Sequence, residues 1–470
     1  MKFSADENGA WHGSIAHYKA DLTQLKASFE VVATKVTVGD AEQASGVTAN
    51  DFSQPVTYRL YADDRQYREF RIILENTDRG TGTPLLAIFT ENSKPVTSKE
   101  EWVSGRVVID PQESDFERLD AEIEIKGRGN NTWGLPKKPY AIKLAEKNAV
   151  MGMNKHKRWV LLANAKDRTL LRNRVAFEIG RHSGLAWTPD SRFIEVILNG
   201  KYLGNYLLCE QIRVDKNRVN IDEMTAEDKT GEAITGGYLL ELDRYYDEIN
   251  KFRTALRDLP VNIKEPDEKV LGKEQMKYIA DYVNHIEKLL YEGADIDLSY
   301  KEYLDIDSFI DWWIVMELTG CQDVRLPGSC YLYKPRSGKL CAGPIWDFDL
   351  MTFKAPGSQF LLYNYDLPDF VIGDGGDRSL WFAKLFTDPQ FKARAGERWR
   401  MHKPEFDRIA EFIDAEAAQL ESSAEVNWEM WELKTGPNGD EKSTWKESVE
   451  LLRKNYLLRL QWMDTQVSGW

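Results

Sequence analysis

Two aspartates one residue apart, Asp347 and Asp349, close the apolar run Pro344-Ile345-Trp346-Asp347-Phe348-Asp349. A short run of this kind reads as a buried strand, and carboxylates at its end suit a metal working on phosphate. Asp323 lies shortly upstream, and a lysine-bearing strand, Tyr140-Ala141-Ile142-Lys143, lies far upstream. A proton-accepting acid, a metal-binding acid and a buried lysine are the minimum parts of a phosphoryl-transfer site. Asp323 follows a helix end and precedes the Pro327-Gly328 turn, a loop position from which a carboxylate can take a hydroxyl proton. The hairpin that follows, from Ser329 to Lys334 and back through Ser337-Gly338, returns Asp347 toward Asp323. Either Asp347 or Asp349 is then placed to hold Mg²⁺ against phosphate oxygens.

Between Lys126 and Lys143 stand five basic residues (Lys126, Arg128, Lys137, Lys138 and Lys143) and no acid. Such a window suits a polyanion, although a plain surface hairpin with solvated charges has the same composition. Gly127-Arg128-Gly129-Asn130-Asn131-Thr132 sits between two expected strands, and its backbone N–H groups could face phosphate oxygens. A cleft-facing Lys143 would neutralise phosphate charge and would need a carboxylate to hold it. Glu178 is the candidate, three residues after Val175 on the expected helix from Leu170 to Arg181. An exposed helix acid paired with a local cation is the competing reading.

These groups need a scaffold. Short alternating segments from about Leu22 to Leu74 (Ala27–Ala33, Lys35–Val38, Val56–Ala62 and Glu69–Leu74) predict a small β-sandwich without a catalytic grouping. After the Gly- and Thr-rich loop at 78–84, strands are expected over Leu85–Thr90, Gly105–Asp110, Ala121–Lys126, Tyr140–Leu144 and Trp159–Ala163. Phe193–Leu198 and Tyr202–Gln211 form a hairpin about Asn199-Gly200. Beyond residue 270, helical spacing dominates: Glu274–Tyr291, Ile306–Leu318 and Ser443–Asp464. A strand-rich half followed by a helix-rich half gives an α+β arrangement, with a ligand cleft between them.

A chain of 470 residues exceeds one ordinary core and implies two or three domains. The formal charge of −14 disfavours nucleic acid as the main partner. No run of eighteen apolar residues predicts a transmembrane helix. Cys209, Cys321, Cys330 and Cys341 form no C-x-x-C pair, so free buried thiols are expected rather than a zinc site, with a Cys321–Cys330 or Cys330–Cys341 disulfide the lesser alternative.

Taken in order, Ile125 to Trp133 with Pro136 to Tyr140, Leu171-Arg172-Asn173-Arg174, Gly204 to Gln211, and Pro344 to Asp349 resemble the CotH (spore coat protein H) kinase family, an atypical branch of the protein-kinase-like fold. The resemblance covers roughly residues 84–470. It implies a sheet-rich lobe (about 84–212), a helical lobe (about 213–470), and ATP- and Mg²⁺-dependent phosphorylation of protein serine between them. Lys143 would match the phosphate-pairing lysine and Asp323 the catalytic acid, with Asp347 the metal-binding acid and Asp349 beside it. Glu210 and Gln211 would lie beside adenine, and Arg128, Asn130, Asn131 and Arg172 join the nucleotide-binding group, although Arg172 and Asn173 carry no assigned role.

Ser329 stands where many relatives have an asparagine able to serve a second metal. A hydroxyl is a poorer ligand than an amide oxygen. That departure supports an alternative: a kinase-shaped binding or structural protein without turnover. A phosphatase of the haloacid-dehalogenase type is disfavoured because the D-x-D pair comes late and Met351 stands where Thr or Val is wanted. Residues 1–78 have the look of an Ig-like module of Bacteroidetes surface proteins, around Val47–Phe52 and Pro55–Tyr58. That resemblance implies an extracytoplasmic protein, secreted or anchored at the cell surface as a lipoprotein, with its signal segment outside this sequence.

Overall fold

The computed structural model describes residues 3–6, 9–15, 22–63, 66–76, 80–112, 114–321, 323–324, 327–354, 380–431 and 438–470. The architecture is α+β, as the alternation of patterns predicts.

Near the N-terminus, six strands form one sheet in the spatial order Ser4–Ala5, Trp11–Ile15, Tyr67–Asn76, Val56–Tyr61, Lys35–Val38 and Ala41–Glu42. A two-stranded ladder of Leu25–Lys26 with Ala49–Asn50 accompanies it, and Val36, Phe52, Val56, Tyr58 and Leu74 form the core. The strand expected over Ala27–Ala33 is absent. Phe29 instead gives its N–H to Ser45 Oγ (2.9 Å), and its carbonyl accepts from the same hydroxyl (2.8 Å). A side chain has thus taken the place of a ladder partner.

Seven strands then close a barrel in the order Val103–Asp110, Leu119–Gly127, Tyr140–Val150, Met153–Leu162, Lys201–Glu210, Ser191–Leu198 and Leu85–Thr90. Alternate side chains, among them Ile125, Ile142, Trp159, Ile194 and Leu208, fill its interior. Closure leaves no edge for pairing with another chain.

The second core joins helices to a five-stranded sheet ordered Lys251–Arg253, Pro260–Glu265, Tyr238–Leu242, Cys330–Lys334 and Cys341–Ala342. The half beyond residue 213 is therefore less purely helical than its periodicity suggests. Its helices, counted with the one that leaves the barrel, are α1 (Arg172–Arg181), α2 (Lys273–Tyr291), α3 (Ile306–Thr319), α4 (Phe382–Leu385), α5 (Pro389–Phe406), α6 (Ile409–Met430) and α7 (Trp445–Val467). The Asp305 carboxylate caps α3 by accepting from Ser308 N (2.9 Å), and Gly320 ends it in the left-handed region (φ 60°). All four cysteines are free and buried. No helix among the described residues is long and apolar enough to cross a membrane.

Helix α6 lies against the barrel strand Lys201–Glu210, and one amide organises the contact. Asn427 Oδ1 accepts from Asn205 N (3.2 Å) and from Lys137 Nζ (2.7 Å). Gly204 (φ 84°) leaves the room: a Cβ there would lie 2.7 Å from that oxygen. Lys137 is fully buried and also donates to Ala163 O (2.8 Å) and Asn205 O. Three oxygen acceptors call for three N–H groups, which only the ammonium form supplies, so these bonds oppose the downward pull of burial on its pKa. Lys137→Met should take a donor from all three acceptors, leaving Asn427 Oδ1 its bond from Asn205 N, and lower unfolding free energy by about 3 kcal/mol. Urea denaturation of both proteins would measure it.

Candidate active site

The segment holding the acid pair is buried but is not the strand that its composition predicts. After Cys341–Ala342 the chain leaves the sheet through a cis Gly343-Pro344 bond and runs irregularly through Asp349. Its backbone polar groups are met by side chains instead. Asn173 Oδ1, near the start of α1, accepts from Phe348 N (2.7 Å), while Asn173 Nδ2 donates to Asn164 Oδ1 (3.0 Å). Thr352 Oγ1 donates to Phe348 O (2.6 Å). Buried Asn438, from the segment before α7, accepts from Met351 N (2.6 Å) and donates to Asp349 O (3.0 Å) and Lys166 O (3.1 Å). Asp347 itself sits at φ 69°, in the left-handed region that, glycine aside, aspartate and asparagine tolerate best.

Arg172 explains its own motif. It is fully buried, bound to Asp167, to Asp440 (2.9 Å) and to Thr352 O (3.4 Å). It ties the loop before α1 to the segments on either side of the acids. This guanidinium is a structural tie with its donors engaged, rather than the nucleotide contact that the resemblance implies.

Asp323, Asp347 and Asp349 converge. Asp323, half-buried after α3, has its pKa pushed up to about 7 by burial and then by Asp347, with Arg244 and Lys166 opposing. Asp347 opens to solvent, yet the protein packed around it raises its pKa, and Arg128, Lys166 and Arg244 pull the other way. Buried Asp349 is raised well above its ordinary value, by burial and then by Asp347, Asp167 and Asp323. Asp243 joins the group, raised to about 6. Lys166, Arg128 and Arg244 are thus the cations facing the acids. Sequence reasoning missed Lys166, Arg244 and Asn438, which lie on loops whose placement no periodicity encodes.

A polar cleft of about 310 Å³ adjoins this group, lined by Arg128, Gln211, Ile212, Leu239, Lys264, Tyr331 and Trp346 among others. Arg128 stands over the Trp346 ring (5.4 Å) and bears on Asp347, so it joins cleft to acids. Burial works against the charge of Lys264, but Glu241 (3.2 Å) and Glu248 outweigh it and its pKa is raised. From the glycine loop, Asn131 Nδ2 donates to Tyr245 Oη (2.6 Å) and Asn130 Nδ2 to Asp247 (3.3 Å). The two asparagines thus latch the barrel loop to the loop carrying Asp243 and Arg244.

Lys143 is elsewhere. Tyr140, Ile142 and Leu144 point into the barrel, so alternation turns Lys143 outward, where it pairs with Glu124 (2.6 Å) beside an open depression also lined by Phe89, Arg106 and Lys157. Glu178 pairs with Arg181 and His182 (both 3.2 Å) on its own helix. The expected Lys143–Glu178 pair is not formed; each found a local partner instead. Of the basic window, Arg128 faces the acids, Lys137 is buried, and Lys138 donates to Trp133 O (2.5 Å). Glu210 is also buried, accepting from Asp190 N (3.0 Å), while its neighbour Gln211 lines the cleft. Ser329 (φ 53°) occupies the turn before Cys330–Lys334, next to Gly328, whose N–H bonds Asp323 O (3.2 Å). Gln322, Arg325 and Leu326, within the expected catalytic loop, lie outside the described residues.

A family model for CotH kinase proteins matches residues 123–463. The chain belongs to the CotH kinase family. A search of the curated proteins finds no significant match. The matched region contains the acids, the basic loop and the cleft, while the N-terminal sheet precedes it. The apolar cavity of about 580 Å³ beneath that sheet is lined by no acid and is remote from this chemistry.

Among the described residues, no three His, Cys, Asp or Glu side chains are arranged to hold a metal by themselves. Asp347 and Asp349 hydrogen-bond each other, burial raises both pKa values, and Asp347 raises that of Asp349 further; the pair still suits a dication that takes the rest of its shell from phosphate and water. Linkage gives the sign. Folded-state pKa values above the ordinary value of about 4 mean that folding takes up protons. Their contribution is favourable at low pH and is lost as pH rises through the raised values. Protons and Mg²⁺ would then compete, and a Mg²⁺-induced rise in melting temperature should grow as pH rises. In Asp349→Asn the rise should disappear and the metal-free protein should be more stable at pH 8. Asn438→Ala, which removes three bonds, should lower stability by about 2 kcal/mol and weaken the Mg²⁺ response.

Proposed function

We propose that this CotH-family chain is a protein-serine kinase using ATP and Mg²⁺. The observation carrying the proposal is Asp323, its pKa pushed up to about 7, beside the Asp347/Asp349 pair, with Arg128, Lys166 and Arg244 acting on these acids. In this reading the barrel serves as the sheet-rich lobe and the remainder as the helical lobe. The base enters the cleft against Ile212 and Leu239, near Gln211, and the phosphates extend toward Arg128 and Lys166. The cleft is polar, with charged side chains of both signs, but Ile212, Leu239, Ile263 and Trp346 give it an apolar part against which a base could rest. Mg²⁺ at Asp347 and Asp349 would offset the charge of the phosphate oxygens. Asp323 accepts the proton of the serine hydroxyl as its oxygen bonds to the γ-phosphorus and the bond to the β-phosphate oxygen breaks. A group pushed up to about 7 is a better proton acceptor than an ordinary aspartate.

Calorimetry with ATP, with and without Mg²⁺, tests the binding half of the proposal. Binding that needs Mg²⁺ is expected; folded protein showing none at millimolar ATP would refute it. Asp323→Asn should retain nucleotide binding and lose phosphoryl transfer by about a hundredfold or more. Lys143→Ala should change affinity by less than about threefold, since its partner is Glu124.

Ser329 favours a second reading, a kinase-shaped binding protein without turnover. There, Asp323→Asn leaves the cellular role intact. We further propose that the chain works outside the cytoplasm, secreted or anchored at the cell surface, with the N-terminal sheet as an Ig-like module presenting the kinase region.

A further inference from the structure

On the outer face of the barrel, the cations Lys99, Lys126, Arg158 and Arg213 gather in slight excess over the carboxylates near them, Glu100, Glu124 and Glu265. Lys126 Nζ lies 5.1 Å and the Arg158 guanidinium 5.0 Å from the centre of one ring, Trp102. Both side chains are half-buried, and neither has a carboxylate within ion-pairing distance among the described residues. Lys99 and Arg213 stand close enough to act on Lys126, and Arg213 acts on Arg158 as well. Burial and these like charges hold both pKa values below their ordinary ranges, with Glu100, Glu124 and Glu265 opposing. Two of those acids are already engaged: Glu124 with Lys143 (2.6 Å) and Glu265 with Arg213 (2.6 Å). Leaving cations together, half out of water, costs free energy that an incoming anion would recover.

The place matters as much as the charge. Arg213 and Glu265 line the polar cleft, so the Trp102 patch continues from the mouth of the cleft along the barrel wall. Asp323, Asp347 and Asp349 are not among the charges that bear most on Lys126 or Arg158, whereas Arg128, Lys166 and Arg244 do face those acids. The phosphate-handling charge and the Trp102 charge are therefore separate groups. In a chain of formal charge −14, an unpaired basic and aromatic surface beside the cleft is the complement of an acidic polypeptide. We infer that Trp102, Lys126 and Arg158 dock an acidic segment of the protein substrate, holding its serine near the cleft. This inference rests on the kinase reading for what is done to the partner, but not for its charge.

The test uses the full chain, with a fluorescent glutamate-rich serine peptide and its glutamine counterpart as probes. Anisotropy at low ionic strength should show the glutamate peptide binding and the glutamine peptide at least about tenfold weaker, with affinity falling as salt rises. Lys126→Ala/Arg158→Ala should weaken the glutamate peptide about tenfold and leave Mg²⁺-dependent ATP binding unchanged. Equal binding of the two peptides, or no loss in the double variant, would overturn the inference. So would a variant that loses ATP affinity instead, since the pair would then belong to the nucleotide. If the glutamate peptide binds as described but wild-type protein binds no ATP, the docking surface stands and the kinase reading falls.

Discussion

Carboxylates crowded together and packed about by protein set the terms for everything around them. Asp347 raises the proton affinity of both Asp323 and Asp349, and Arg128, Lys166 and Arg244 are cations that offset the acids. Left to itself, such a cluster would swing apart or turn to solvent. It is held because the backbone bearing it is fastened by neutral amides and hydroxyls that carry no charge to compete with a metal. Asn173 fixes Phe348 N, Thr352 fixes Phe348 O, and Asn438 fixes both Asp349 O and Met351 N. The charged tie, Arg172, is kept one step back, satisfied by Asp167 and Asp440.

This division of labour explains which parts of the site were legible in the amino-acid order. The acids were found because D-x-D after an apolar run is a local pattern, and Asp323 because α3 ends at a glycine before a turn. The barrel strands were located in the sequence, although Tyr140–Val150 runs six residues past the expected Tyr140–Leu144 and Met153–Leu162 begins six before the expected Trp159–Ala163. Helices α1, α2, α3 and α7 were legible from helical spacing nearly to their observed ends. Lys143 was misread because alternation tells which residues share a face but not which face meets the cleft. Its neighbours Ile142 and Leu144 chose the barrel interior, and Lys143 was left outside. The apolar run 344–348 was misread as a strand because a buried irregular segment has the same composition. What separates the two is whether distant side chains such as Asn173 supply the bonds that a ladder would. The strands Tyr238–Leu242 and Pro260–Glu265 went unnoticed between more regular neighbours, and with them the wall that carries Lys264.

Holding the acids is of no use unless the barrel's basic loop keeps its distance from them. Two kinds of contact fix that distance. At the loop itself, Asn130 and Asn131 reach Asp247 and Tyr245, so the strand end carrying Arg128 is latched beside Arg244. These bonds are exposed and individually weak, which permits the loop to open for a ligand. Later in the same connection, the Lys137 ammonium spans Ala163 O, Asn205 O and Asn427 Oδ1 and is fully buried. Breaking that contact leaves buried oxygens without donors, a penalty larger than the exposed latch can impose.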